Sequence, residues 1–453
     1  MSQKSQPLAR HWSKTPLVHI LGPMQEFIQQ SQASSIILLV MTILALLIAN
    51  SPLSAMYNTL LETHIGLSIG AFQLDESILH WVNDGLMAIF FFLVGLEIKR
   101  EVLVGELANP RAAALPIIAA IGGVVVPAAI YMAFNFGGSG QHGWGVPMAT
   151  DIAFALGCLA LLGNRTPLGL KIFLTAVAIV DDLIAVLVIA LFYTSDLHLL
   201  WLAGGLGVVV LLLAANLVGI RAPIVYGALG AVVWLAFLES GVHATIAGVL
   251  VALTIPARRR IDTPTFVQRV RQVVQQFEQS GRDRDRLHAS EGQQSAVLEL
   301  EDICEQAQAP LQKIEHDLHG WVAFVIMPIF AFANAGVALP ANSLGGESLP
   351  VLLGILLGLV IGKPVGIFAA SWLAVRTGIA ALPSGVNWLH MLGVGVLGGM
   401  GFTMSLFIAS LAFDQPELLA TAKVAILLAS LLAGIGGLLL LSRVRPGVET
   451  KGR

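Results

Sequence analysis

Residues 172–193 read IFLTAVAIVDDLIAVLVIALFY, an apolar run that carries two adjacent aspartates near its centre. A run of this length is what one helix needs to cross a lipid bilayer. An aspartate at the centre of such a helix costs about 2.5–3.5 kcal/mol on insertion scales. Asp181 and Asp182 therefore indicate a task inside the membrane: binding a cation, carrying a proton, or both. The alternative is a buried carboxylate pair with a structural role.

The composition is that of a polytopic membrane protein. The 453-residue chain is 56% hydrophobic and 12% charged, whereas soluble domains are about 25% charged. Cys158 lies in an apolar segment and Cys304 in a charged one, so we expect no disulfide framework. The glycine-rich stretches lack the Lys-Ser/Thr of a phosphate-binding loop, and we expect no nucleotide, nucleic acid or cofactor. The start of the chain does not resemble a cleavable signal peptide.

Twelve apolar segments predict an all-α protein with twelve transmembrane helices. Lys and Arg occur in alternate connecting loops, and this alternation predicts that both termini are cytoplasmic. The segments lie at about 33–50, 83–98, 112–133, 148–163, 172–193, 200–219, 223–238, 243–256, 320–338, 350–375, 388–412 and 419–442.

The remaining stretches complete the domain organisation. We predict a cytoplasmic N-terminal segment (1–32), spans one to eight (33–256), a charged cytoplasmic insertion (257–319), spans nine to twelve (320–442) and a cytoplasmic tail (443–453). Within the external connection 51–82, residues 63–74 alternate polar and apolar side chains around two glycines, which predicts a small hairpin. In the insertion, the apolar spacing over 263–277 and 296–314 predicts amphipathic helices.

Two further charged residues lie inside apolar segments. Asp151 follows Pro147 and Thr150 in a short segment, which is typical of a helix interrupted at mid-membrane. An N-cap aspartate at the membrane edge is the alternative. Lys363 is flanked by about ten mostly apolar residues on either side. It either extends its amine to the membrane surface or pairs with a carboxylate, and pairing is the simpler interpretation.

The eleventh segment contains GGMGFTMSLF (398–407), in which three glycines in four residues precede Thr403 and Ser405. Close helix packing through small residues would explain the glycines. Together with the short segment around Asp151, they predict a second interrupted helix. Two such helices in corresponding halves of a chain indicate a transporter binding site, because helix ends place partial charges at mid-membrane.

A third group of titratable residues lies at predicted cytoplasmic helix ends. Glu97 and Glu101 are one turn apart in GLEIKRE (95–101), and Glu315, His316 and His319 precede the ninth segment. Histidine titrates near neutral pH, so this group could sense cytoplasmic protons. An ordinary solvated helix end is the alternative, and the residues alone favour it.

Seven stretches resemble the NhaA-type sodium/proton antiporters, and they occur in the order that this family shows. Together they extend across essentially the whole transmembrane region. They are FFLVGLEIKRE (91–101), ATDIAFALG (149–157), LKIFLTAVAIVDDL (170–183), SGVHATIAG (240–248), PIFAFANAGV (328–337), IGKPVGI (361–367) and GFTMSLFIASLAF (401–413).

The resemblance implies twelve helices with inverted-topology repeats, in which the fourth and eleventh are discontinuous and cross. It assigns Asp181 and Asp182, with Thr150 nearby, to binding Na⁺ and protons. Asp151 and Lys363 would balance the helix-end dipoles, and Lys363 would also pair with Asp181. Glu97, Glu101, Glu315, His316 and His319 map onto the family's proposed pH-sensing group. The resemblance further implies a homodimer joined partly through the hairpin.

Three features depart from the family pattern. Ile184 stands two residues past Asp182 where familiar members have glycine, and Gly320 replaces a familiar proline. The insertion over 257–313 is much longer than usual. Ile184 either narrows the ion site or shifts helix packing, so the resemblance does not fix the ion preference. The insertion and Gly320 bear on the pH response.

The predicted function is exchange of cytoplasmic Na⁺ or Li⁺ for external protons by alternating access, in the bacterial inner membrane, for sodium and pH homeostasis. The chain is predicted not to be an enzyme. An intramembrane aspartyl protease is a rival interpretation, but the Thr-Asp and Val-Asp-Asp contexts of Asp151 and Asp182 do not match the motifs of such proteases. A passive cation channel is a second rival.

Overall fold

The computed structural model describes residues 31–69, 72–163, 166–194, 197–280, 291–338 and 348–444. Nearly all of the predicted terminal segments 1–32 and 443–453 lie outside these ranges. Parts of the predicted hairpin, of the predicted insertion and of the predicted connections near 165 and 339–347 also lie outside them. Of the described residues, 81% are helical.

Within the described ranges, helices make up almost all of the secondary structure, with one pair of strands near the start of the chain. In chain order the elements are α1 (Ser31–Ala49), α2 (Ser54–Glu62), β1 (His64–Ile69), β2 (Phe72–Ser77), α3 (Ile78–His80), a π-helix (Trp81–Leu86), α4 (Met87–Val104), a 3-10 helix (Glu106–Ala108), α5 (Pro110–Asn135), a 3-10 helix (Gln141–Met148), α6 (Ile152–Leu161), α7 (Leu168–Phe192), α8 (Leu199–Val218), α9 (Pro223–Leu238), α10 (Thr245–Thr254), α11 (Thr263–Ser280), α12 (Glu291–Ala307), α13 (Pro310–Trp321), a π-helix (Val322–Ile326), α14 (Met327–Ala335), α15 (Ser348–Leu357), a π-helix (Gly358–Gly362), α16 (Lys363–Arg376), α17 (Trp388–Gly398), α18 (Phe402–Ala412) and α19 (Pro416–Arg443).

Many of these helices are long and apolar enough to cross a membrane. Among the described residues seven helices meet this criterion, and up to nine do so if each of two bent pairs forms one span. Two shorter apolar helices, Pro223–Leu238 and Thr245–Thr254, add to them. The chain is therefore a multi-pass membrane protein. The predicted total of twelve spans exceeds the number that length and composition alone establish.

The predicted hairpin is present. Strands β1 and β2 pair in antiparallel fashion, with His64 opposite Ser77 and Ile69 opposite Phe72. The alternation of polar and apolar side chains that predicted it is the two-residue period of a strand. Gly70, one of the two glycines in this stretch, lies outside the described residues.

Prolines explain two of the three π-helical turns in the part of the chain that the structure describes. Pro328 and Pro364 each stand two residues after the end of a π-helix. A proline has no N–H to donate, and its ring clashes with the carbonyl four residues earlier. A wider turn before the proline relieves that clash, and π-turns of this kind are frequent at functional sites. One of them ends directly before Lys363.

The chain divides into two compact units. The first comprises Met1–Met87, Glu106–Tyr193 and Gly320–Arg453. In this unit α5 and α16 approach so closely that a Cβ on Gly122 would lie 2.3 Å from the Gly366 carbonyl oxygen. A Cβ on Gly366 would lie 2.1 Å from the Gly122 oxygen. Glycine at both positions therefore sets the spacing of the helix that carries Lys363.

The second unit comprises Ala88–Gly105 and Thr194–His319. Here α4 packs against α10, and a Cβ on Gly248 would lie 2.2 Å from the Ala88 carbonyl oxygen. Lys99 Nζ donates hydrogen bonds of 2.6 Å to the carbonyls of Leu253 and Ile255. Because the last carbonyls of a helix lack intrahelical donors, Lys99 caps the C-terminus of α10.

The charged insertion belongs to this second unit and forms a helical hairpin. Helices α11 and α12 pack through the apolar side chains of Val273, Ala296 and Ile303. The predicted single helix over 296–314 is wrong in one respect, because α12 ends at Ala307 and α13 begins at Pro310. Proline suits the first position of a helix but not its interior, so it begins a new helix here.

Candidate membrane-embedded ion site

The interrupted helix that carries Asp151 has a defined local cause. Its 3-10 part ends at Met148, residues 149–151 are non-helical, and α6 begins at Ile152. Asp151 is the N-cap of α6, and its Oδ1 accepts a hydrogen bond of 3.0 Å from the Phe154 N–H. The N-cap alternative for Asp151 is therefore correct as far as local structure goes.

The carboxylate of Asp151 also reaches a second helix. Its Oδ2 accepts hydrogen bonds from Thr403 Oγ1 at 2.5 Å and from the Thr403 N–H at 3.2 Å. Thr403 lies in the first turn of α18. Asp151 thus places one negative charge at the N-termini of two helices, where the helix dipole is positive. An N-cap at a membrane edge does not account for this second set of contacts.

The second interruption lies in the glycine-rich stretch, between α17 and α18. The two helices are bent by 44° relative to each other. A Cβ on Gly399 would lie 2.4 Å from the Leu359 carbonyl oxygen, so glycine is required for this close approach. Phe402 N–H, which would bond to the Gly398 carbonyl in a continuous helix, donates instead to Ser430 Oγ at 3.1 Å.

The two interruptions are hydrogen-bonded to each other. The Asp151 N–H donates to the Met400 carbonyl at 2.6 Å. Thr150 Oγ1 lies 2.9 Å from the Gly398 carbonyl oxygen, and Ser405 Oγ donates to the Val146 carbonyl at 2.8 Å. Backbone groups freed by each break are thereby satisfied by the other, as burial in an apolar environment requires.

Asp181 and Asp182 lie on α7 beside this junction, and each is only 2% exposed. Lys363 Nζ donates a hydrogen bond to Asp181 Oδ2, and both side chains are fully buried. Thr150 Oγ1 lies 2.7 Å from the same oxygen. Asp182 is the next residue along, so its side chain points about 100° away around the helix.

Lys363 does not extend to a membrane surface, because its side chain has no exposed area. Besides Asp181, its Nζ contacts the carbonyl oxygen of Met148, the last residue of the 3-10 helix. The C-terminal end of a helix carries partial negative charge. Lys363 and Asp151 therefore lie at helix ends of the opposite sign.

Asp181 Oδ1 has no hydrogen-bond partner among the described residues and is buried. A buried carboxylate oxygen without a donor is costly unless a proton or a cation binds it. Carboxylate, hydroxyl and carbonyl oxygens are the ligands that hard cations prefer. Within the described ranges, no cluster of three or more His, Cys, Asp or Glu forms a transition-metal site.

Ile184 is partly buried and packs against the apolar cluster of the first unit, which includes Leu170, Leu174 and Val177. Its side chain thus adds to helix packing. Gly320 lies within α13. A Cβ added to it would meet no atom within 4 Å.

The residues at the predicted cytoplasmic end meet in the second unit. Arg100 forms ion pairs with Glu315 and with Glu101, the latter at 3.0 Å. His319 Nδ1 lies 3.9 Å from Glu97 Oε1. His316 is exposed. Arg100, at the centre of this network, was not among the predicted residues, although its place between Glu97 and Glu101 could have suggested a counterion.

Other contributions to the membrane-embedded site were also not predicted. The carbonyls of Met148, Gly398 and Met400 are backbone groups, and a sequence does not show which backbone groups a break releases. The hydroxyl of Thr403 had a sequence signal, because it follows the glycine-rich break, but its partner Asp151 is 252 positions away.

Buried acidic and basic residues where two interrupted membrane helices meet define a secondary transporter for a small cation. The chain belongs to the Na⁺/H⁺ antiporter 1 family, whose model matches residues 25–441. Its relatives are named as antiporters, which are transporters rather than enzymes.

Two relatives show how far the similarity extends. The Na⁺/H⁺ antiporter NhaA of Koribacter versatilis is 50% identical over 428 residues, which cover 94% of this chain and 93% of that protein. The Na⁺/H⁺ antiporter NhaA of Oleidesulfovibrio alaskensis is 50% identical over 434 residues, covering 96% of each chain. Among solved structures, the sodium proton antiporter MjNhaP1 from Methanocaldococcus jannaschii aligns with a TM-score of 0.49 and 14% identity, over 95% of this chain and 99% of that chain. The family assignment rests on the sequence matches alone.

Proposed function

We propose that this protein exchanges cytoplasmic Na⁺ or Li⁺ for external protons by alternating access. The observation that carries the proposal is the buried Asp181, whose Oδ2 is shared by Lys363 and Thr150. Family membership supports Na⁺ and H⁺ as the transported ions. A cation and a proton compete for the same carboxylates, so binding of one releases the other.

In this mechanism Asp182 is the exchanged site and Asp181 is shared between that site and Lys363. At alkaline cytoplasmic pH, Asp182 loses its proton and binds Na⁺ with oxygen atoms of Asp181 and Thr150. Reorientation exposes the site to the outside, where protons displace Na⁺. The inward proton gradient then drives sodium export, and Asp151 and Lys363 keep the charges of the interrupted helix ends balanced in both orientations.

The proposed architecture has twelve spans arranged as inverted-topology repeats, with both termini in the cytoplasm of a bacterial cell and the protein in its inner membrane. Its support is the pair of mutually bonded interruptions, which is the arrangement that inverted repeats produce in transporters. We further propose a homodimer joined partly through the β1–β2 hairpin.

The network around Arg100 is proposed to sense cytoplasmic pH. Glu101 and Glu315 pair with Arg100, and Glu97 pairs with His319. His316 is the residue next to Glu315. A change of protonation would rearrange these pairs. The substitution His319→Asn is expected to shift the pH at which exchange begins, with the maximal rate retained.

The proposed function is tested with purified protein in liposomes that carry an imposed pH gradient. Exchange is shown if the pH gradient accumulates Na⁺ or Li⁺ against its own concentration gradient. A passive channel would only equilibrate the cation, and that result would reject antiport. Replacing Na⁺ with K⁺ in a parallel sample controls for leakage of protons through the liposomes.

A further inference from the structure

The hairpin of α11 and α12 leaves apolar side chains exposed outside its own core. Val267, Val274 and Phe277 of α11 are 41%, 43% and 41% exposed, and Val297 of α12 is 51% exposed. Single exposed apolar side chains are ordinary on a protein surface, whereas several on one face mark an interaction site. The arrangement of these side chains around the two helices therefore decides whether they form a docking surface.

The two helices run antiparallel, because they meet at both ends of the hairpin. At the free end, remote from α10 and α13, a Cβ on Gly292 would lie 2.7 Å from Ser280 Oγ. At the base, the Gln306 carbonyl accepts hydrogen bonds from the Arg260 N–H at 3.0 Å and from the Ile261 N–H at 3.4 Å. Positions equally far from the free end therefore lie at the same level of the hairpin.

The exposed valines of α11 and α12 lie on one face of the hairpin. Val274 and Val297 each follow directly on a core residue, Val273 and Ala296, so each is turned by about 100° from the core. In two antiparallel helices that face each other, the same rotation along each chain leads to the same side of the pair. Val267 precedes Val274 by two helical turns and belongs to the same face.

This face has charges of opposite sign on its two outer edges. Arg271 follows Val267 by one turn on α11, and Glu301 follows Val297 by one turn on α12. Both charged side chains are exposed, and both are turned farther from the core than the valines. Arg271 and Glu301 each lie nine residues from the contact at the free end, so they are level with each other on opposite edges.

Charge decides between a lipid surface and a second copy as the occupant of this face. Helix α12 has no Lys or Arg, and its last turns carry Glu299, Glu301, Asp302 and Glu305. Anionic lipids at a cytoplasmic membrane surface attract basic segments and repel acidic ones. A second copy fits instead, because a two-fold rotation about an axis parallel to the helices places α11 of one copy on α12 of the other.

We propose that the apolar face formed by Val267, Val274 and Val297 docks on the same face of a second copy of this chain, as a four-helix bundle outside the membrane. Apolar burial stabilises the bundle, and Arg271 of each copy pairs with Glu301 of the other and fixes the register. This contact is separate from the proposed contact through the β1–β2 hairpin. It rests on the proposed function only in placing the insertion in the cytoplasm.

Disulfide cross-linking of full-length protein tests the bundle. Arg271→Cys and Glu301→Cys are combined with Cys158→Ser and Cys304→Ser, which remove the native thiols. Because the two new thiols lie on opposite edges of one hairpin, they are too far apart for a disulfide within it, and a bond between them joins two chains. Copper phenanthroline oxidation in liposomes at low protein density is expected to give a dimer on a non-reducing gel. No dimer would overturn the proposal.

Gln272→Cys with Glu301→Cys is the matched control pair. Gln272 is exposed next to Arg271, but it is turned a further 100° away from the apolar face. The control pair is expected to stay largely monomeric under the same oxidation. A dimer yield equal to that of the pair at Arg271 and Glu301 would show random collision of the chains, and would also overturn the proposal.

A second substitution tests the apolar contact itself. Val274→Asp, added to the pair at Arg271 and Glu301, places a carboxylate in the face of each copy and is expected to lower the dimer yield about tenfold. Gln272→Asp adds the same charge on the other side of α11 and should leave the yield unchanged. Equal circular dichroism of the two variants shows that both are folded. An undiminished yield with Val274→Asp would contradict docking through this face.

Na⁺-dependent proton flux in liposomes is a separate readout. If the wild type shows no flux, the proposed antiport fails, and the cross-linking yields still decide for or against the bundle.

Discussion

Lys363 and Asp181 form a fully buried ion pair, although 182 positions separate them in the chain. Two charges without exposed area are stable in a membrane protein only together, because each alone would be unpaired in an apolar environment. The pair also fixes α16, which begins at Lys363 directly after a π-helix, relative to α7.

Removing one partner of the pair leaves the other charge buried. Lys363→Met keeps the length of the side chain but leaves Asp181 without its counterion. The expected loss of stability is about 3–5 kcal/mol, measured as a fall in melting temperature in detergent. The double variant Lys363→Met with Asp181→Asn removes both charges and should recover part of the loss. A double variant less stable than Lys363→Met would show that the unpaired charge of Asp181 is not what destabilises Lys363→Met.

Asp151 caps two helices, so its substitutions should lower stability by different amounts, according to how many acceptor oxygens they keep. Asp151→Ala removes the acceptor for the Phe154 N–H and for both donors of Thr403. Loss of an N-cap costs about 0.5–2 kcal/mol per helix. Asp151→Asn keeps one acceptor oxygen and should be less destabilising. Equal melting temperatures for the Ala and Asn variants would show that Asp151 does not act as a double cap.

Close approach of α5 and α16 predicts that Gly366→Ala is destabilising. Its Cβ would meet the Gly122 carbonyl oxygen at 2.1 Å, so the helices must separate. Overpacking of this kind costs about 1–3 kcal/mol. Gly227→Ala in α9 is the matched control, because no atom lies within 4 Å of its added Cβ. The melting temperatures of both variants are compared with that of the wild type. If Gly366→Ala and the control both melt at the wild-type temperature, the close contact is ruled out.

His80 lies beside two carboxylates, with its Nε2 2.9 Å from Asp84 and 3.9 Å from Glu76. The hydrogen bond with Asp84 raises the pKa of His80 above its usual 6.5. A raised folded-state pKa means that the pair stabilises the protein below the unfolded pKa, and that this contribution is lost as pH rises through the folded one.

The substitution Asp84→Asn should therefore lower the melting temperature more at acid pH than at alkaline pH. Melting curves recorded on both sides of pH 6.5 test this directly. Gln at position 80 cannot be protonated. In the His80→Gln background, Asp84→Asn should therefore change the melting temperature by the same amount at every pH. A melting-temperature difference for Asp84→Asn that does not vary with pH would exclude the interaction.

Much of the membrane-embedded site could be predicted from the sequence, because charge in an apolar segment is a strong signal. Asp181, Asp182, Asp151 and Lys363 each stand out against apolar neighbours, and the glycines at 398–401 mark the second break. Periodicity likewise predicted the β1–β2 hairpin and α11. These signals are local, and local patterning is what a sequence displays directly.

The rest depends on which distant groups meet. The double cap by Asp151 requires Thr403, and the position of Lys363 depends on the Met148 carbonyl as well as on Asp181. The sequence marks Thr403 as a residue that follows the glycine-rich break, but it does not mark Asp151 as its partner, and it does not mark the Met148 carbonyl. The break between α12 and α13 at Pro310 was missed for a different reason, because apolar spacing continues across it and only the proline interrupts the hydrogen bonding.

Asp182 is proposed as the exchanged site, and the substitution Asp182→Asn tests that role. The side chain keeps its size and loses its charge, so the fold should be retained. Thr175→Val is the control on the same helix, because the Thr175 hydroxyl bonds to the Lys171 carbonyl of its own helix in the described structure.

Both variants are reconstituted in liposomes at equal protein amounts, after gel filtration shows that each is folded, and Na⁺-dependent proton flux is measured. We expect no flux above background for Asp182→Asn and flux close to wild type for Thr175→Val. Na⁺-dependent proton flux that persists in Asp182→Asn would contradict the assignment of the exchanged site.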